Sequence, residues 1–526
     1  MTGKAAGISE GNAGGTEAGP LLRPGDTCWR IARADRFAVI VDAADYFAIA
    51  REAMLRAEQS ILLIGWDFDL RIKLVPDACG DGAPQELGNF LCHIVRCNPN
   101  LRIWILKWDM AVFYSSFRGG VLGLFARQLT SLRRIRLRFD SAHPWTAAHH
   151  QKIVVIDDVL AFCGGIDMTT NRWDSRDHLP EDERRRRPDG GISGPWHDAT
   201  AMVDGEAARA LGDLARERWL RATGRRLRPV TGGRDLWPGS RAPNLRDVDV
   251  GIARTMPAHD GRPEIREIEQ LYIAAIRAAR RTIYLESQYF ASSRICEEII
   301  ARLCEDDGPE VIVINPLETE GWLEETTMGT ARDMRLRAIT ENDAHGRFGM
   351  FYPVNVEGEP IYVHAKVLVI DDRLVRVGSS NINNRSMGFD SECDVAAEAQ
   401  DEEDRRAITA IRDDLLAEHL GVEREAVTEA VAREGSVLAA VCALLRPEGR
   451  SLRPIPIREV SEPAEALADS QLADPERAAH AERRAAHFAK RVALSVPPSA
   501  WATLAATGIG LFAWTRWRRR QGGGRR

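Results

Sequence analysis

His150-Gln151-Lys152-Ile153-Val154-Val155-Ile156-Asp157 is echoed further along the chain by His364-Ala365-Lys366-Val367-Leu368-Val369-Ile370-Asp371. The offset is constant: 364 − 150, 366 − 152 and 371 − 157 are all 214. The same offset matches Asp158 with Asp372, Leu160 with Leu374 and Gly164 with Gly378. In a chain of this composition a chance His-x-Lys-x4-Asp is expected about 0.01 times. Two copies in matching contexts mark an internal repeat, and a chain built of two similar halves.

Each copy has the same physical reading. Residues two apart on a strand share a face, so the imidazole and the ammonium project together from the strand's start. The four apolar residues bury the strand, and Asp-Asp makes the hairpin turn. Two such halves, packed about a pseudo-two-fold axis, bring two His and two Lys into one cleft. Two ammonium groups can neutralise the oxygens of a phosphate. One imidazole can then attack phosphorus while the other protonates the leaving alkoxide and activates water or an alcohol. Only six Lys stand among the 71 Lys and Arg residues, so a Lys in each motif is a specific choice. Gly165, Asp167, Ser379, Asn381 and Asn383 follow the two strands and are candidates to line the phosphate.

Outward from the motifs, short apolar runs alternate with helical spacing. Arg36–Val41, Ser60–Trp66, Leu101–Trp108 and Arg134–Phe139 read as strands, with helices over Ala43–Glu58 and near Leu122–Leu132. Arg225–Val248 is rich in Gly, Pro and Arg and reads as a linker. The pattern then restarts with a helix at Ile265–Arg280, a strand at Thr282–Leu285, a helix at Ile295–Leu303 and a strand at Val311–Asn315. An amphipathic helix over Glu402–Leu420 ends at Gly421, a residue suited to a helix C-terminus. The alternation predicts α/β domains, and 526 residues suffice for two. The predicted division is a disordered 1–24, a first domain 25–245, a second domain 246–455, a polar connector 456–495 and a tail 496–526.

Composition narrows the function. A net charge of −6, with no basic run beside either motif, provides no track for a nucleic-acid backbone. Nine scattered Cys, without a C-x2-C pair, suggest neither a zinc site nor a disulfide framework. The start of the chain lacks the apolar stretch of a signal peptide. At the other end Trp501–Trp514 is uncharged and an Arg cluster follows it. That pattern predicts a hydrophobic helix anchoring the protein on the cytoplasmic side of a membrane.

The repeat resembles the duplicated His-Lys-Asp motif of the phospholipase D superfamily. The segments 164–167 (GGID), 172–174 (RWD), 195–198 (PWHD), 284–290 (YLESQYF) and 384–392 (NRSMGFDSE) are similar to its phosphatidylcholine-hydrolysing branch. The likeness runs over roughly residues 30–454, strong at the motifs and loose between them. It implies two α/β sandwich domains sharing one active-site cleft, with His150 as nucleophile and His364 as general acid. It implies Lys152, Asp157, Lys366 and Asp371 as the other motif residues, and Asp198 and Glu392 as the acids that orient the imidazoles. It implies no cofactor and no metal for the chemistry, with a phospholipid as substrate. Membrane contact would fall to the tail or to a loop such as 322–328. His149 and His197 are additional histidines beside the site; strand alternation turns His149 to the opposite face. Within the superfamily, a nuclease or a cardiolipin synthase-like transferase are the alternatives.

Overall fold

The computed structural model describes residues 19–77, 80–109, 133–321, 325–460 and 474–476. The first half supplies β1 (Arg30–Val41), β2 (Ser60–Gly65), β3 (Arg102–Trp108), β4 (Ile135–Asp140), β5 (Ile153–Ile156), β6 (Leu160–Gly164), β7 (Trp196–His197) and β8 (Ala199–Asp204). The second half supplies β9 (Leu245–Met256), β10 (Ile265–Arg266), β11 (Thr282–Glu286), β12 (Glu310–Ile314), β13 (Phe348–Val354), β14 (Tyr362–Val363), β15 (Val367–Ile370), β16 (Leu374–Gly378), β17 (Glu392–Glu398) and β18 (Ser451–Pro454). The described helices are α1 (Ala43–Leu55), α2 (Leu87–Cys97), α3 (Gly205–Thr223), α4 (Glu267–Ala278), α5 (Ser293–Leu303), α6 (Thr330–Asn342), α7 (Asn384–Gly388), α8 (Glu402–Leu420), α9 (Arg424–Glu434) and α10 (Val437–Leu444).

Strand order carries the repeat into three dimensions. The sheet runs β18-β13-β12-β11-β15-β16-β17-β9-β1-β8-β6-β5-β2-β3-β4. Read outward from the central β9–β1 pair, the two sides correspond strand for strand, and β18 is an addition at one edge. The motif strands β5 and β15 lie inside the sheet, each antiparallel to both neighbours. Every residue of both is buried, which is why each reads as an unbroken apolar run rather than an alternating one. Helices cover both faces. α3 and α8 close a core common to both halves, while α1 with α2, and α4 with α5 and α6, close one core in each half.

Most predicted elements fall within a residue or two of those observed, and the helix at Glu402–Leu420 coincides with α8. The central strand β9 departs from expectation, because its first residues fall inside the predicted linker. Residues 19–24 are not a loose leader either. Leu21 and Leu22 are buried, and their N–H groups donate to Glu398. In the connector, Asp474 is buried and accepts hydrogen bonds from the Asn384 and Arg385 N–H groups. The helical stretch near Leu122–Leu132 and the tail Trp501–Trp514 lie outside the described residues. Among the described residues no helix is long and apolar enough to cross a membrane. The expected C-terminal anchor, and the membrane location built on it, are therefore not supported.

Candidate active site

The His-x-Lys segments sit where each half's backbone docks on the other. The His150 N–H donates to the Ser391 carbonyl at 2.9 Å, and the Ser391 N–H to the Ala148 carbonyl at 3.0 Å. In the mirror position the His364 N–H donates to the His197 carbonyl at 2.8 Å, and β14 pairs with β7. The two motifs thus meet across the interface between the halves.

The imidazoles are oriented by exchange. His150 Nδ1 lies 2.9 and 3.1 Å from the carboxylate oxygens of Glu392, a residue of the second half. His364 Nδ1 lies 2.6 Å from Oδ2 of Asp198, a residue of the first half. With Nδ1–H donating to a carboxylate, Nε2 is left free to act as nucleophile or base. Glu392 is held in turn by the hydroxyls of Ser379 at 2.5 Å and Ser386 at 2.7 Å. Asp198 Oδ1 accepts the Ala199 N–H at 2.8 Å. Gly165 makes room for that carboxylate, since a Cβ there would lie 2.2 Å from Asp198 Oδ1.

Burial and charge set the protonation states. Burial pushes both imidazoles well below the ordinary histidine range. Lys152 and Lys366 push His150 further down, and Lys366, Arg172 and Lys152 do the same to His364. Burial raises Glu392 to about 7, against the pull of Ser379 and Lys152. Burial also lowers Lys366 to about 7, with Asp198 opposing and Lys152 adding to the fall.

The lysines are not equivalent. Lys152 Nζ lies 3.1 Å from Oδ2 of Asp167, whose Oδ1 accepts the Trp66 N–H at 3.0 Å. The repeat offset places Asn381 where Asp167 stands, so the second half has a neutral amide in place of the carboxylate. The Asn381 Oδ1 is buried without a hydrogen-bond partner.

Several expectations need correction. Asp157 and Asp371 stand at the far end of the motif strands from the histidines and face away from the chemistry. Asp157 accepts the N–H groups of Glu58, Gln59 and Ser60 at 2.6–2.8 Å. Asp371 accepts those of Arg280, Arg281 and Thr282 at 2.8–2.9 Å. Both adopt positive φ, 51° in each case, so they tie the hairpin turn to the start of the neighbouring strand. Asp167 pairs with Lys152, and a carboxylate so placed would repel a phosphate rather than bind it. Ser379 is occupied with Glu392, and Asn383 caps α7 through the Ser386 N–H. His149 needs no correction: as strand alternation implies, it packs away from the site, fully buried against Asp140 at 3.0 Å, and burial lowers it to about 4. His197 is also buried away from the cleft, between Glu286 and Glu418. Of the segment 322–328, residues 322–324 lie outside the described residues, and Met328 is buried.

One neighbour of His364 was not singled out from the sequence. Trp196 packs on Tyr362 at 4.6 Å and on the His364 ring at 5.1 Å, with the Arg172 guanidinium 4.2 Å above its own ring. This stack fixes the plane of His364 and keeps a cation beside it. The signal was present in the short segments RWD and PWHD, which supply Arg172 and Trp196.

Known proteins resemble both halves of the chain. A family model described as phospholipase D matches residues 53–230, and one described as cardiolipin synthase, PLD-like domain, matches 272–412. The chain belongs to the phospholipase D superfamily. Phospholipase D A of Dictyostelium discoideum is 25% identical over 429 residues, covering 69% of this chain and 33% of its own length. Phospholipase D alpha 4 of Arabidopsis thaliana is 25% identical over 479 residues, covering 70% and 62% respectively. The match thus spans between a third and somewhat under two thirds of these relatives. The crystal structure of phosphatidylserine synthase from Haemophilus influenzae Rd KW20 shares the fold, with a TM-score of 0.50 at 14% identity over 79% of this chain and 97% of that one.

Proposed function

We propose that this chain is a phospholipase D that cleaves the headgroup ester of a glycerophospholipid and passes the phosphatidyl group to water or an alcohol. The carrying observation is the pair of imidazoles, each held through Nδ1 by a carboxylate of the opposite half. In this reading residues 25–245 and 246–455 are two domains that are inactive apart. His150 Nε2 attacks phosphorus as the bond to the headgroup oxygen breaks, and His364 gives that oxygen its proton. His364 then removes a proton from water or an alcohol, whose oxygen displaces His150 and releases phosphatidic acid or a new phosphatidyl ester. Lys152, Lys366 and Asn381 face the phosphate oxygens. Burial and the lysines keep both histidines neutral, which suits the nucleophile. The negative charge of the phosphate diester opposes the lysines and raises His364 into its acid form.

The substrate is a lipid rather than a nucleic acid. The net charge of −6 disfavours a polyanion. Trp145, 67% exposed on the segment leading to His150, offers an apolar contact to a lipid aggregate. The test is turnover of phosphatidylcholine mixed micelles in the presence of ethanol, beside single-stranded DNA. Phosphatidylethanol formed without DNA cleavage supports the reading. DNA cleavage lost in Lys152→Ala, without lipid turnover, overturns it.

A further inference from the structure

Behind His364 lies a cluster of charged side chains that the reaction does not use. Asp42, His178, His197 and Glu418 are all buried, and each offers a ligand atom within 4.8 Å of the others'. Asp42, His178 and His197 belong to the first half, and Glu418 comes from α8 of the second. We propose that these four residues bind a divalent transition metal of the zinc type, which ties the two halves together beside the active site.

The protons visible in the cluster are too few for its acceptors. His178 Nδ1 lies 2.8 Å from Asp174 Oδ2, a carboxylate that also accepts the Trp196 and Ser175 N–H groups. His197 Nε2 lies 2.8 Å from Glu286, which also accepts the Tyr284 hydroxyl and faces His419 Nε2 at 2.9 Å. Both outer nitrogens are therefore N–H donors to carboxylates. That is the arrangement which fixes the tautomer of metal-bound histidines. The inner nitrogens, His178 Nε2 and His197 Nδ1, then face oxygen. They lie 3.1 and 2.8 Å from Glu418 Oε1, and 3.5 and 3.4 Å from the two oxygens of Asp42. Two bare lone pairs aimed at two carboxylates repel. The cluster needs either two further protons or one divalent cation.

Geometry favours the cation. Zinc bonds of about 2.0–2.2 Å in a tetrahedron put neighbouring ligand atoms roughly 3.3–3.5 Å apart. The Asp42 contacts, at 3.5 and 3.4 Å, meet that spacing, and the Glu418 contacts, at 3.1 and 2.8 Å, reach it with shifts of about 0.3 and 0.6 Å. Asp42 Oδ2 is buried without a hydrogen-bond partner, although three N–H and O–H donors satisfy Glu286 nearby. A mixed imidazole and carboxylate set suits zinc, with cobalt as its spectroscopic substitute. With four protein ligands the site is closed, as structural sites are. Its position gives it a consequence: the Asp198 N–H donates to Asp42 Oδ1, and the Asp42 N–H to the Asp198 carbonyl. An ion here would fix the backbone of the residue that orients His364.

The test is metal analysis of the full chain, purified and then refolded with zinc or cobalt(II) under reducing conditions. The expected result is one ion per chain, a tetrahedral cobalt absorption band in the visible region, and a thermal midpoint that rises with zinc but not with magnesium. His178→Ala should lose the ion. If that variant does not fold, the wild-type comparison with and without zinc decides alone. Wild-type protein with under a tenth of an equivalent and an unchanged midpoint overturns the proposal and assigns the cluster to two imidazolium cations. Full retention of the ion in folded His178→Ala overturns it equally, by placing the metal elsewhere.

Discussion

Asp198→Asn is the substitution whose outcome the geometry dictates most closely. Asp198 Oδ1 accepts the backbone N–H of Ala199 at 2.8 Å, and that donor cannot turn round. An asparagine must keep its carbonyl oxygen there, so its NH2 points at His364 Nδ1 along the present 2.6 Å contact. The imidazole is then forced into the tautomer with its proton on Nε2, which can neither take a proton from water nor reach the imidazolium form easily. Losing the charge-assisted bond costs about 1.5–3 kcal/mol. Adding the wrong tautomer brings the total to about 4–5 kcal/mol, or roughly a thousand- to ten-thousandfold in kcat. Stability should barely change, because burial already disfavours the carboxylate charge and the amide has the same shape. The assay is headgroup release from phosphatidylcholine micelles, with the thermal midpoint as control. Activity within about tenfold of wild type, a loss of only about 1.4 kcal/mol, would refute the exchanged orientation of the imidazoles.

Three further outcomes follow from the same contacts. Lys366 is charged below about 7 and neutral above it, so kcat/KM should fall as pH rises through that value. Lys366→Arg keeps its charge and should shift this alkaline limb upward by more than a unit, even at a lower maximum; an unmoved limb assigns the titration to another group. Asp157→Ala and Asp371→Ala each strip three backbone donors of their acceptor and should lower stability by about 3 kcal/mol, with kcat per folded molecule kept. Lost turnover at an unchanged thermal midpoint would instead return these residues to the chemistry. Gly165→Ala drives a Cβ into the Asp198 carboxylate and should cut kcat more than a hundredfold while the sheet stays folded; near-normal activity would show that the carboxylate has freedom to move.

What could be read from the chain was what is contiguous in it. The motif strands announce themselves because histidine, lysine, apolar run and turn follow one another within eight residues, and because the pattern recurs. The exchange of orienting carboxylates is different: it depends on how the halves are packed, which no local pattern records. β9 was obscured because its opening residues, Leu245–Val248, mix charge with apolar side chains and continue a Gly- and Pro-rich stretch. The offset that pairs Asp167 with Asn381 was visible, but both were read as phosphate contacts; the sign of the carboxylate, set beside Lys152, separates them. The buried cluster around His197 was hidden for a simpler reason. Its members are isolated polar residues spread from Asp42 to His419, and although His197 stood out beside the motif segment 195–198, nothing local pairs it with the others.

The proposed mechanism stands or falls on a covalent bond between His150 and the lipid phosphate, and that bond can be trapped. Wild type, His150→Asn and His364→Asn would be mixed with labelled phosphatidylcholine, quenched in alkali within the first turnover, and mapped by peptide mass spectrometry. The expected result is an alkali-stable phosphatidyl or phosphoryl group on His150 in wild type, the same group forming and decaying more slowly in His364→Asn, where both proton transfers are lost, and none in His150→Asn. A label on His364 alone, or phosphatidyl transfer to ethanol by His150→Asn at the wild-type rate, would contradict it.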